Sequence, residues 1–203
     1  MTVTADAPEI AEEDRLRADL YDFLGVLLAG PPSKALLKQA ASLSGDDSEL
    51  GQAINALARV AQVTNEKGVE SEFTTLFIGL GRGELLPYAS YYLTGFLNEK
   101  PLAVLRNDMA RLQITRAPNV FEPEDNIASL MEMMAGMITG RFGEPVSLQK
   151  QKDFFNKHIA LWAGHFFTDL EAAQNSVFYA AVGATGRAFM EIETEAFRMT
   201  TEH

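Results

Sequence analysis

Apolar residues in this chain recur at intervals of three and four, from Leu16 to Phe197. That spacing lines one face of an α-helix and does not fit the two-residue alternation of a half-buried strand. Leu16, Leu20, Phe23, Leu24, Leu27 and Leu28 form the first run, which "AGPPS" stops. Ser33 is placed to cap a second, short helix carrying Leu36, Leu37 and Leu43. Beyond the turn "SGDDSE", Leu50, Ile54, Leu57, Val60 and Ala61 share a third face. A fourth helix beginning near Val69 carries Phe73, Leu76, Phe77 and Leu80.

"GLGRGELLP" interrupts this pattern, since its glycines permit positive φ and Pro87 restricts the residue before it. "YASYYLTGFL" has strand-like aromatic content, but no partner strand is legible, so it reads as short helix or irregular chain. Pro101 suits a first helical residue ahead of Leu102, Leu105, Met109 and Leu112. "TRAPNVF" breaks that helix, and "FEPEDNIASLMEMM" opens the next. Pro123 is expected in its first turn, with Glu124 and Asp125 complementing the helix dipole by about 0.3–1 kcal/mol each. "GRFGEPVS" closes it. A single long helix from Ser147 is predicted to carry Leu148, Phe155, Ile159, Trp162 and Phe166, and a last one to run from about Ser176 to Phe197. The expectation is an all-α bundle of about eight to ten helices. A flexible tail spans residues 1–10, with an N-terminal lobe to about 115, a hinge over 115–122 and a C-terminal lobe over about 123–200.

Composition narrows the function. The 203 residues carry a net charge of −11, which disfavours binding to a nucleic-acid backbone and favours basic partners. Cysteine is absent, which excludes disulfides and thiolate metal sites and fits a cytoplasmic setting. No apolar run is long enough for membrane insertion, and the first residues lack a secretory leader's pattern. His158 and His165 lie seven apart, too far along a helix to share a metal, so no metal and no cofactor is expected. "GLGRGE" lacks the ending of a phosphate loop, and no nucleophile elbow occurs. No catalytic set emerges. Met131 and Met134 fall on a core face, although thioethers beside carboxylates would also suit a groove for a basic, apolar peptide. A small helical enzyme or nucleotide-binding protein using Glu122, Asp125 and His158 is the alternative.

Three blocks together resemble the TorD/DmsD/NarJ family of redox-enzyme maturation chaperones: "SEFTTLFIGLGRGELLPYASYYL", "FEPEDNIASLMEMM" and "QKDFFNKHIALWAGHFFTDL". The second is similar to the family's E-P-x-D-H motif, with Asn126 where the family commonly has His; Asn cannot gain charge near neutral pH. The resemblance implies an all-helical cytoplasmic chaperone, not an enzyme. Its implied partner is the apoprotein of a molybdopterin oxidoreductase, such as a formate dehydrogenase or a DMSO/TMAO-type reductase, together with that protein's twin-arginine signal peptide. The implied contact residues are Phe73, Leu76, Phe77, Pro87, Tyr88, Ser90, Tyr91, Glu122, Asp125 and Asn126. Glu122 and Asp125 would receive guanidinium groups, and the aromatic and aliphatic residues would form an apolar wall. A monomer and a homodimer that swaps its halves about the hinge both fit.

Overall fold

Side chains that satisfy free backbone N–H groups mark where many of the helices start. The computed structural model describes residues 10–116, 118 and 120–200, so the expected tail falls almost wholly outside the described residues, as do two positions of the 115–122 segment. In chain order the helices are α1 (Glu12–Ala29), α2 (Lys34–Ala41), α3 (Glu49–Val63), α4 (Glu66–Phe73), α5 (Ala89–Thr94), α6 (Lys100–Arg111), α7 (Ile127–Thr139), α8 (Leu148–His158), α9 (Ala163–Ala172) and α10 (Phe178–Met199). Ser33, Ser48, Asn65, Asn126 and Ser147 each accept a backbone N–H in the first turn of the helix that follows. A π-turn, Thr74–Ile78, extends α4 and ends at Gly79, whose φ is +59°. No strand forms among the described residues, and the all-α expectation holds.

Three expectations are corrected. Leu43 lies past the end of α2, and Leu80 lies past the π-turn and is fully exposed. Pro123, Glu124 and Asp125 precede α7 rather than forming its first turn. They make a separate turn, in which Asn126 N–H donates to the Pro123 carbonyl at 3.1 Å. Asn126 is the cap: its Oδ1 accepts the Ala128 N–H at 2.9 Å, and the acids are drawn away to partners on other elements. The helix predicted from Ser147 is broken into α8 and α9. Ile159 and Ala160 both donate to the Phe155 carbonyl at 2.9 Å, and Trp162 Nε1 donates to the His158 carbonyl at 2.8 Å, closing α8.

One core joins helices from both ends of the chain. α7 is its axis, with ten of thirteen residues buried, so it is enclosed nearly all round. Met131, Met133, Met134 and Met137 all belong to that core, not to a surface groove. α1 packs chiefly on α7, and α10 on α9 and α3. Gly183 permits the close approach of α10 to α9. A Cβ there would sit 2.5 Å from the Glu171 backbone nitrogen and 2.9 Å from the Phe167 carbonyl oxygen. Among the described residues, no helix is long and apolar enough to cross a membrane.

Candidate functional site

An isolated antiparallel bridge joins Tyr88 to Asn126. Ala89 N–H donates to the Asp125 carbonyl, and Ile127 N–H to the Pro87 carbonyl, both at 2.9 Å. Extended backbone sends successive side chains to opposite sides. Tyr88 and Asn126 accordingly line one depression, while Ala89 and Asp125 line another behind it.

The first depression is an open groove of about 740 Å³. Phe73 and Phe77 form one wall with Ile78, and Pro87 and Tyr88 continue it. α1 forms the facing wall through Asp22, Gly25 and Val26, and α7 adds Ser129 and Glu132. Phe73 and Phe77 pack at 4.9 Å between ring centroids, and both meet Tyr179 below, which fixes the wall. Its charge is mainly acidic: Asp22, Glu122 and Glu132 against Arg141, which pairs with Asp22. The Tyr88 hydroxyl donates to Glu122 Oε2. Burial, then the Glu122 carboxylate, push that phenol above its ordinary range, so it stays protonated and orients the carboxylate. Among the described residues Glu122 Oε1 and Glu132 have no hydrogen-bond partner.

Six residues named from the sequence therefore share the groove: Phe73, Phe77, Pro87, Tyr88, Glu122 and Asn126. Leu76 is fully buried beneath it. Ser90 and Asp125 are buried and do not line the groove: the Ser90 N–H donates to Asp125 Oδ2 at 2.8 Å, and the Ser90 hydroxyl donates to the same oxygen. Tyr91 sits elsewhere, accepting from Arg82 at 2.6 Å, with the guanidinium 5.2 Å from its ring centroid. Glu124 anchors α6, accepting from Arg106 Nε at 2.9 Å and Nη2 at 2.8 Å. Burial opposes its ionisation, yet the guanidinium holds the carboxyl below its usual range. The α1 wall was not foreseen. Val26, one helical turn from Asp22, is 55% exposed there, and nothing in the α1 spacing marks it.

Glu122, Asp125 and His158 do not converge, because Glu122 lies in the groove while Asp125 and His158 line the cavity behind. Among the described residues no cluster of three or more His, Asp or Glu could hold a metal. His158 Nε2 donates to Asp108 Oδ2 at 2.8 Å, and Lys157 Nζ shares that oxygen at 2.6 Å. Burial lowers the His158 pKa; Asp108 opposes this, and the Lys157 charge adds to it. A depressed folded-state pKa means that the unfolded chain takes up more protons in acid. Stability from this group is thus present above the unfolded value of about 6.5 and is lost as pH falls through the folded value. Urea denaturation at about pH 7.5 and about pH 5.5 should show a loss on acidification that His158→Gln reduces.

The sequence matches the family model described as nitrate reductase delta subunit over residues 44–168. It is 24% identical over 209 residues to the chaperone protein TorD of Aliivibrio fischeri, covering 92% of this chain and 97% of that one. It is 32% identical over 123 residues to a protein named as the Tat proofreading chaperone DmsD of Haemophilus influenzae, covering 58% of each. The fold is similar to a crystal structure described as a candidate redox enzyme maturation protein from Archaeoglobus fulgidus. That match has a TM-score of 0.55 at 18% identity and covers 93% of this chain and 99% of the other. The class is that of maturation chaperones, not enzymes. The chain belongs to the TorD/DmsD/NarJ family.

Proposed function

We propose that this chaperone binds the apoprotein of a molybdopterin oxidoreductase in the cytoplasm, holding its twin-arginine signal peptide in the groove until cofactor insertion and export. The observation that carries the reading is the juxtaposition, in one open groove, of an aromatic wall with three carboxylates. Asp125 does not line the groove and Asp22 is held by Arg141, so the guanidinium groups fall to Glu122 and Glu132. Covering about 300 Å² of apolar peptide surface contributes on the order of 7 kcal/mol, against an ordering cost of about 2–5 kcal/mol. Apolar contact thus supplies most of the affinity and the acids set register. A formate dehydrogenase and a DMSO/TMAO-type reductase are both clients of the required chemistry. The lobes over about 11–115 and 123–200 are the units that two protomers would exchange about residues 115–122. Sedimentation separates that dimer from a monomer.

Calorimetry with a synthetic leader carrying paired arginines and an apolar segment tests this. Tyr88→Ala and Phe77→Ala should each weaken binding by about 30-fold, the scale of an interface hot spot. Glu122→Gln should weaken it less and flatten its dependence on salt. Unchanged affinity in both aromatic variants would exclude the groove. Capture from cells should retain a cofactor-free precursor and identify which client it is.

A further inference from the structure

The cavity behind the bridge has about 340 Å³ of space, within the range of small-molecule sites. Leu93, Pro101, Val104, Leu105 and Leu130 make its walls apolar, and Asp125 lines it. Asp125 is 1% exposed, and among the described residues only its Oδ2 is engaged, by Ser90. Oδ1 is buried and accepts no hydrogen bond among the described residues. Lys100 and Lys157 also line the cavity, but neither pairs with Asp125; Lys157 is held by Asp108. A buried carboxylate oxygen without a donor is costly, and a charged donor offsets that cost most effectively.

We propose that this cavity is a binding site, separate from the groove, for a small molecule with a protonated nitrogen head and a compact apolar body. The head donates to Asp125 Oδ1, and the body fills the space between α5, α6 and α7. The alternation that turns Asn126 into the groove turns Asp125 into this cavity, so the site stands independently of the client reading.

The test is an NMR titration of the full chain with phenethylamine and phenethylguanidine, alongside phenethyl alcohol and 3-phenylpropionate as uncharged and anionic counterparts. Both cations should shift the amides of Leu93, Thr94 and Leu105, and bind about tenfold or more tightly than the alcohol. Asp125→Asn should remove the preference for the cation. Val104→Trp fills the cavity from the partly exposed face of α6, leaves Asp125 intact, and should abolish binding of every probe. A twin-arginine peptide at saturating concentration should leave the cation affinity unchanged within about twofold. The proposal is overturned if no cation binds at millimolar concentration, if the propionate binds as well, or if Val104→Trp binds like the parent. It is also overturned if the peptide displaces the probes, which would assign the cavity to the leader.

Discussion

Glu193→Ala should lower the unfolding free energy by about 3–5 kcal/mol, the cost of breaking a buried ion pair on one side. Glu193 is 1% exposed on α10. Its carboxylate receives Arg17 Nε and Nη2, each at 2.8 Å, and the Tyr21 hydroxyl at 2.9 Å. Arg17 also donates to Asp14 at 2.7 Å and to Gln151 at 3.3 Å, and lies over Phe197. Burial and then Glu193 push the Tyr21 phenol well above its ordinary range, so it acts only as a donor here. Truncating Glu193 strands part of a guanidinium and a buried hydroxyl together, whereas replacing the pair by apolar residues removes the charge and leaves only the Tyr21 hydroxyl without its acceptor. Urea titration should therefore show a large drop in midpoint with little change in slope for Glu193→Ala, and a smaller drop for Arg17→Met combined with Glu193→Leu. A loss under about 1 kcal/mol for Glu193→Ala would show that water reaches the network and repairs it.

The second large effect is expected at the break between α8 and α9. Trp162→Ala should cost about 3–5 kcal/mol, as for other buried aromatic truncations. The ring is 1% exposed and packs on Tyr92 at 5.3 Å and Phe166 at 6.0 Å between centroids. Its indole N–H also satisfies the His158 carbonyl at the end of α8. Trp162→Phe keeps most of the ring and loses the donor, so it should recover most of the loss and leave about 1 kcal/mol outstanding. Trp162 is the chain's one tryptophan, so circular dichroism must follow the transition. Equal losses in the two variants would move the effect from packing to the hydrogen bond.

That break shows where sequence reading stops. Phe155, Ile159, Trp162 and Phe166 keep helical spacing straight through it, because both helices bury the same side. Periodicity cannot register a kink that preserves the buried face. Ser33 was legible as a cap, and Ser147 as a helix start, because a cap acts within three residues. Asp125 was not legible as a Ser90 partner, since that bond spans 35 residues. The same limit divides the groove. Its aromatic wall and Glu122 fall within the blocks that carry the family resemblance, whereas Asp22 and Val26 sit on α1, whose spacing signals only a core helix. Asn126, which departs from the family pattern, keeps a structural duty that needs no charge: it caps α7.

The pairing of α1 with α7, and of α3 with α10, has a consequence for biosynthesis. α1 waits for its chief partner α7, and α3 for α10, to leave the ribosome. Until α7 has been translated Leu24 and Leu27, and until α10 has been translated Leu57, lack the helix they chiefly pack on. Such a core closes late in elongation, which leaves its early helices open to aggregation in the interval.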